Sequence, residues 1–339
     1  MDAKITKQRL ARMLSYDWIK IVALATAVII LWGLIFTMTA TRITPAQQFT
    51  VFNYHSNGSL STTKFYDTYQ KAFADGVFSY ELIETNTNDL VTSGEYASTI
   101  LETRVTTDEG DVMFIPNAPD ASSGEAGTDE NGNTLYNRTY IETFFYGYSP
   151  YLYNLDPEAE NSYFAGMEAY LNGFYNGDYV NGELDEDKVT SAFEAKIKAN
   201  KDKRFKKSAQ IEQGKKDELA RIQKYRDALV AFYGYLEEGL VEFTTVALKD
   251  ENGEVVVEGK YGLNLCPNEA TMGGLKEQFY YLTKETVTDE DGNESTETRK
   301  TAKDMNVMFF RMKGVEESFQ YESLLYVNYL IENCRTKTA

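Results

Sequence analysis

Three stretches decide the fold: residues 49–54, FTVFNY; residues 77–84, VFSYELIE; and residues 110–115, GDVMFI. Each is short and rich in aromatic or β-branched residues, which suits a pleated, buried surface. Phe49 to Tyr54, Val77 to Glu84 and Asp111 to Ile115, the last closed by Pro116, are therefore expected to be strands. Between them, Thr62 to Ala74 carries Phe65, Tyr69, Ala72 and Phe73 at helical spacing. Gly94 to Thr107 carries Tyr96, Ile100, Leu101 and Val105 on one helical face. Strand, helix, strand, helix, strand at this spacing predicts an α/β fold with a parallel sheet. Right-handed crossovers put the first strand between the other two.

Upstream, Ile21 to Ala40 reads IVALATAVIILWGLIFTMTA without a charge. As a helix it spans roughly 30 Å, the thickness of a bilayer core. Both tryptophans, Trp18 and Trp32, lie in or beside it, and Trp18 falls where an interfacial aromatic is expected. Lys4, Lys7, Arg9, Arg12 and Lys20 outnumber Asp2 and Asp17 before it, which predicts a cytoplasmic N-terminus and an extracellular C-terminal domain. A cleaved signal peptide is the competing reading, with Thr39 and Ala40 near a cut, but its apolar core is usually only about 7 to 15 residues. The expected organisation is a cytoplasmic basic segment at 1–18, a transmembrane helix at 19–41, a spacer at 42–48, a first α/β lobe at 49–156, a mainly helical region at 157–240, and a second α/β part with a C-terminal helix at 241–339.

Downstream, Asp120 to Thr134, Asp250 to Gly253 and Asp289 to Gly292 are rich in Gly, Asn and acid, and read as hairpin tips. Asp289, Asp291 and Asn293 alternate as calcium ligands do, but Glu294 stands where an EF-hand loop needs its Gly. An aromatic run crowds Phe144, Phe145, Tyr146, Tyr148 and Tyr151 together. From Lys196 to Lys216 nine Lys or Arg outnumber Asp202 and Glu212, which reads as a solvated helix face or a docking surface for an anionic wall polymer or partner. Further strands are expected over Val241 to Leu248, Glu254 to Leu265 and Val307 to Met312, before an amphipathic helix from Glu316 to Cys334.

Composition excludes several functions. A net charge of -18, with 34 Lys plus Arg against 52 Asp plus Glu, leaves no basic face for nucleic acid. One His and two Cys cannot build a His-rich or four-Cys metal site, and no phosphate-binding glycine loop or other cofactor motif is present. With no nucleophile elbow, and with acidic pairs such as Glu237-Glu238 and Glu316-Glu317 pointing apart on helices, no enzyme activity and no cofactor are expected. Cys266 and Cys334 could pair or remain free thiols.

The segment Phe49 to Asp120 resembles the first lobe of extracellular solute-binding proteins of ABC importers, the type 2 periplasmic-binding-protein fold. The likeness lies in a first strand ending in a polar loop, a helix and second strand, then a helix leading to the Gly110-Asp111 step into a buried strand. Gly259-Lys260-Tyr261-Gly262-Leu263 looks like that family's Lys-x-Tyr-Gly stretch. The chain departs from the family in lacking a lipid-anchoring Cys after the apolar run and any Trp beyond Trp32. The resemblance implies capture of a small polar ligand, a carbohydrate among the candidates, for an ABC transporter permease or a sensor. A non-catalytic interaction or scaffold domain of a cell-envelope complex is the alternative. In open α/β sheets ligands sit beyond the carboxyl ends of the strands. That position selects Asn53, Tyr54, His55, Ser56 and Asn57 after the first strand, and Asn117, Pro119 and Asp120 after the third.

Overall fold

The computed structural model describes residues 6–39, 44–53, 70–90, 96–130, 132, 134–200, 202–249, 254–288 and 294–336. The chain divides into two units, residues 1–42 and 43–339. The first is helix α1, Lys7–Thr39, within which Trp18–Thr37 has a mean hydropathy of 2.5 and buries nothing inside the protein. By length and composition it can cross a membrane.

The second unit is mixed α/β. A turn at Pro45–Gln47 leads into β1, Gln48–Asn53, which pairs in parallel with β2, Glu84–Asp89, and with β3, Val112–Pro116. The first strand thus lies between the other two, as the crossover argument requires. Helix α2, Ala97–Thr106, occupies the crossover before β3. A small hairpin of β4, Glu125–Thr128, and β5, Thr134–Tyr136, precedes α3, Tyr140–Tyr148. The helical region holds α4, Tyr163–Asn172; a two-residue ribbon of β6, Tyr175–Asn176, and β7, Glu183–Leu184; α5, Glu186–Asn200; and α6, Ser208–Glu237. There follow β8, Glu242–Lys249; β9, Val255–Asn264; a separate ribbon of β10, Tyr281–Thr288, and β11, Glu294–Thr301; and β12, Met305–Phe309. Helices α7, Glu317–Gln320, and α8, Glu322–Cys334, close the chain.

The main sheet has six strands in the order β2-β1-β3-β12-β9-β8. Its last three strands add antiparallel, so the sheet is mixed rather than parallel throughout. Strand alternation divides the core in two. Phe49, Val51, Val112, Phe114, Val307 and Phe309 pack with α4, α6 and α8 on one face. Phe52, Met113, Ile115, Met308 and Phe310 pack with α2 and α3 on the other. All of these side chains are at most 3% exposed, which at roughly 25 cal/mol per Å² of apolar area makes the two faces the main source of stability.

Four sequence expectations are corrected. The second strand is Glu84–Asp89, not Val77 to Glu84. The apolar residues of the earlier stretch anchor an irregular segment, with Phe78 and Leu82 buried in the α8-side core, while the polar ETNTND stretch finds its backbone partner on β1 as an edge strand. The C-terminal helix is broken at Tyr321, and α8 is buried on nearly every side rather than amphipathic. It lies between the sheet, where Tyr326 meets Phe49 and Phe114, and α6, where the Asn328 amide donates to the Ala228 carbonyl. In the basic stretch, Lys196 and Arg204 turn inward to Glu81 instead of facing solvent. Strands β10 and β11 were legible only through their Asp-Gly tip. Residues 62–69, and the tips at 250–253 and 289–293 with the calcium alternative, lie outside the described residues; 70–74 are helical, and β8–β9 and β10–β11 pair antiparallel around those tips. Cys266 and Cys334 are free, buried thiols.

Candidate functional site

The Gly110-Asp111 step positions the central strands. Gly110 adopts φ +145°, and a Cβ there would collide with the Phe52 ring, so only glycine fits. Asp111 then clamps β1: its Oδ2 accepts from the Thr50 N–H at 2.7 Å, while its own N–H donates to the Thr50 carbonyl at 2.9 Å. Burial pushes the Asp111 carboxyl well above the usual carboxylate range. The Thr50 hydrogen bond opposes that rise and the nearby Glu322 adds to it.

Beyond this clamp β1 ends at Asn53. Its Cα faces Asp89 of β2 and Phe114 of β3, so it stands at the carboxyl end of the strand from which the parallel order runs both ways. The side chain is 1% exposed, and among the described residues neither its Nδ2 nor its Oδ1 has a hydrogen-bond partner. Buried amides are normally paired, and leaving one unpaired costs about 1–3 kcal/mol. Two more buried asparagines lie along the same edge, because β12 begins and β9 ends where β3 finishes. Asn306 pairs with Ile115 and Asn264 in the ladder, and its Oδ1 also lacks a partner among the described residues. Asn264 is satisfied: its Nδ2 donates to Glu242 and Asp304, and its Oδ1 accepts from the Cys266 N–H.

The other residues selected from sequence divide. Tyr54, His55, Ser56 and Asn57 lie outside the described residues. Asn117 is half-buried, and its N–H donates to the Asp304 carbonyl, which ties the end of β3 to the start of β12. Asp120 serves its own turn: Oδ1 accepts from the Ser122 N–H and hydroxyl at 2.8 and 2.6 Å. Pro119 bridges to Thr139. Of the described candidates, Asn53 therefore keeps unused polar capacity, while Asp120 is committed locally. Sequence reading passed over Asn306 and Asn264, although an Asn inside an otherwise apolar strand was a readable signal.

A second polar cluster, unseen in the sequence, joins the 76–83 segment to α5, α6 and α8. Glu81 accepts from Lys196 at 2.7 Å and from Arg204 at 2.6 Å. Tyr80 donates to Glu218, which also pairs with Arg221. Glu322 accepts from the Ser79 N–H and the Tyr225 hydroxyl. Burial alone would raise the Glu81 carboxyl, yet Lys196 and Arg204 hold it down at about 2. Glu218 is likewise lowered, Arg221 outweighing burial, and burial drives Tyr80 and Tyr225 far up. Through these bonds the cluster fastens the 76–83 segment to α5, α6 and α8. Among the described residues no group of three or more His, Cys, Asp or Glu is placed to hold a metal ion.

Comparison with protein-family models, curated proteins and solved structures finds no significant match to this chain.

Proposed function

We propose that this protein is a membrane-tethered, solute-binding-like domain that captures a small polar ligand at the carboxyl end of β1, on behalf of an importer or sensor in the same membrane. Helix α1 is the tether, spanning once with the basic N-terminus inside and residues 43–339 outside. The single observation that carries the ligand reading is Asn53, a buried amide with both polar atoms unpaired among the described residues, at the point where the parallel strand order diverges. A ligand hydroxyl, carboxylate or amide supplies the partners that the fold does not. The unpaired Asn306 Oδ1 further along the edge agrees with a polar ligand.

The full chain in lipid nanodiscs, screened by thermal shift against sugars, amino acids and short peptides, tests this. A ligand that binds the folded state raises the melting temperature. Asn53→Ala should weaken that ligand about tenfold or more, as expected when a desolvated hydrogen bond is lost. A screen without hits, or a hit indifferent to Asn53→Ala, sinks the strand-end site.

A second reading, an extracellular interaction or scaffold domain, is favoured by a different observation. The described residues of 43–339 form one compact unit around a six-stranded sheet, and among them there is no second lobe of the kind against which a two-lobed binder encloses its ligand. On that reading the same strand-end edge meets a protein partner in the envelope.

A further inference from the structure

In a chain of net charge -18, uncompensated positive charge gathers at the turn that joins α5 to α6. The two helices fold back on each other. Glu194 of α5 pairs with Lys215 of α6 at 2.6 Å, and a Cβ at Gly214 of α6 would collide with the Phe193 and Phe205 rings. Residues 201–207 therefore form the tip of a helical hairpin.

The tip is held by its own bonds. Arg204 bridges Asp202 at 2.8 Å and Glu81 at 2.6 Å, and the Asp202 Oδ1 accepts from the Arg204 N–H. The Gln210 Oε1 accepts from the N–H groups of Lys206 and Lys207. Phe205 lies half-buried, edge-on to Phe193 with ring centroids 5.0 Å apart. These contacts also sort the charges. Asp202 is taken by Arg204, and Glu194 and Glu212 are both taken by Lys215. Lys198, Lys203, Lys206 and Lys207 are exposed, and none of the four is in an ion pair among the described residues. Their ammonium groups stand at one end of the hairpin, beside carboxylates that are already neutralised.

We propose that this tip is a docking surface for a linear phosphate polymer, one that carries no bases or other flat apolar groups. Lysine binds phosphate as a point charge on a flexible stem, which suits a thread that offers charge without a fixed geometry. The features that other partners need are missing from the tip. A protein partner is held mainly by Trp, Tyr or Arg anchors, but Phe205 packs on Phe193 and Arg204 is paired. Single-stranded nucleic acid stacks its bases on aromatic faces, and no described residue of the tip exposes one. An anionic membrane is a plane, so it meets more of the acidic surface around the tip than a thread does.

Fluorescence anisotropy of labelled inorganic polyphosphate, titrated with the full chain in nanodiscs of zwitterionic lipid, tests this. Binding should appear at about 50 mM NaCl and weaken roughly fortyfold by about 200 mM, as expected for four phosphate contacts on a flexible single chain. Lys203→Gln, Lys206→Gln and Lys207→Gln combined should weaken it about tenfold or more and flatten that salt dependence, at an unchanged melting temperature. Lys249→Gln, Lys276→Gln and Lys303→Gln combined remove the same charge elsewhere and should change the affinity less than about twofold. The inference is overturned if polyphosphate does not bind at the lower salt, if the tip variant binds as tightly as the wild type, or if the second variant weakens binding as much as the first. Tighter binding of length-matched oligo(dT), polyglutamate or phosphatidylglycerol vesicles through the same three lysines would overturn it too. Those outcomes would assign the tip to nucleic acid, an acidic protein or a membrane, respectively.

Discussion

At the residue scale, Asp111 shows how one side chain serves both backbone order and electrostatics. Its carboxyl is buried and lies near Glu322, and these outweigh the opposing hydrogen bond from the Thr50 N–H, so its folded affinity for a proton exceeds the ordinary value. A carboxyl raised in this way contributes stability below its unfolded value, near 3.8, and loses it as pH rises through the folded value. Asp111→Asn keeps an acceptor for Thr50 and removes the charge. Its melting temperature should therefore exceed that of the wild type at pH 8, with the gap closing at pH 3.8 and below. Asp111→Ala should instead lose about 1–3 kcal/mol at pH 3.8 and below, because the Thr50 N–H is left buried and unpaired, with the deficit shrinking as pH rises and the wild-type carboxyl ionises. If the Asn variant gained nothing at pH 8 over its gain at low pH, the raised proton affinity would be refuted. Gly110 and Asp111 were legible as a step into a buried strand. The reason for the glycine, the Phe52 ring, became visible only when β1 and β3 were side by side.

At the element scale, the 76–83 segment is the clearest departure from the sequence pattern. VFSYELIE alternates as a strand should, yet Phe78 and Leu82 enter the α8-side core while Ser79, Tyr80 and Glu81 hydrogen-bond to three helices. Local alternation reports which residues want burial. It does not say whether a neighbouring strand or a group of helix side chains receives them. Glu81 carries a measurable consequence. Its folded value of about 2 lies below the ordinary 4.5, so its contribution is complete above pH 4.5 and is lost as pH falls towards 2. With the side chain 2% exposed, the shift corresponds to about 3 kcal/mol. Urea titrations of the full chain in nanodiscs from pH 7 to pH 2 should show this acid limb. Glu81→Gln should flatten it and lower stability at pH 7 by a similar amount, since Lys196 loses its closest carboxylate. An unchanged limb in the variant would mean that other carboxylates set the acid sensitivity.

At the scale of the whole molecule, a helix with a charge-free run from Ile21 precedes an acidic mixed α/β unit. The charge bias around α1 predicts the topology proposed above. Protease added to intact cells should remove epitopes placed after Gln48 and spare an N-terminal tag. The reverse pattern would invert the orientation and with it the extracellular assignment. The expectation of a parallel unit from Phe49 to Ile115 agrees with the observed β2-β1-β3 order, but the sheet as a whole is mixed. Strand β12 reaches β3 from nearly two hundred residues further along the chain. No periodicity in either segment encodes that pairing.

What the sequence by itself determined were the properties that arise within a window of about twenty residues. These are the spanning length and charge bias of α1, the apolar runs within β1, β3, β9 and β12, the glycine and asparagine that mark hairpin tips, and the acidic net charge. Only the tertiary structure decided which apolar stretches became strands, that Lys196 and Arg204 turn inward, that α8 is buried on nearly every side, and that the buried Asn53 side-chain amide has no hydrogen-bond partner among the described residues. The physical reason is that burial and ion pairing depend on which surfaces meet. Those surfaces are brought together by contacts between residues tens to hundreds of positions apart, whose energies no local pattern contains.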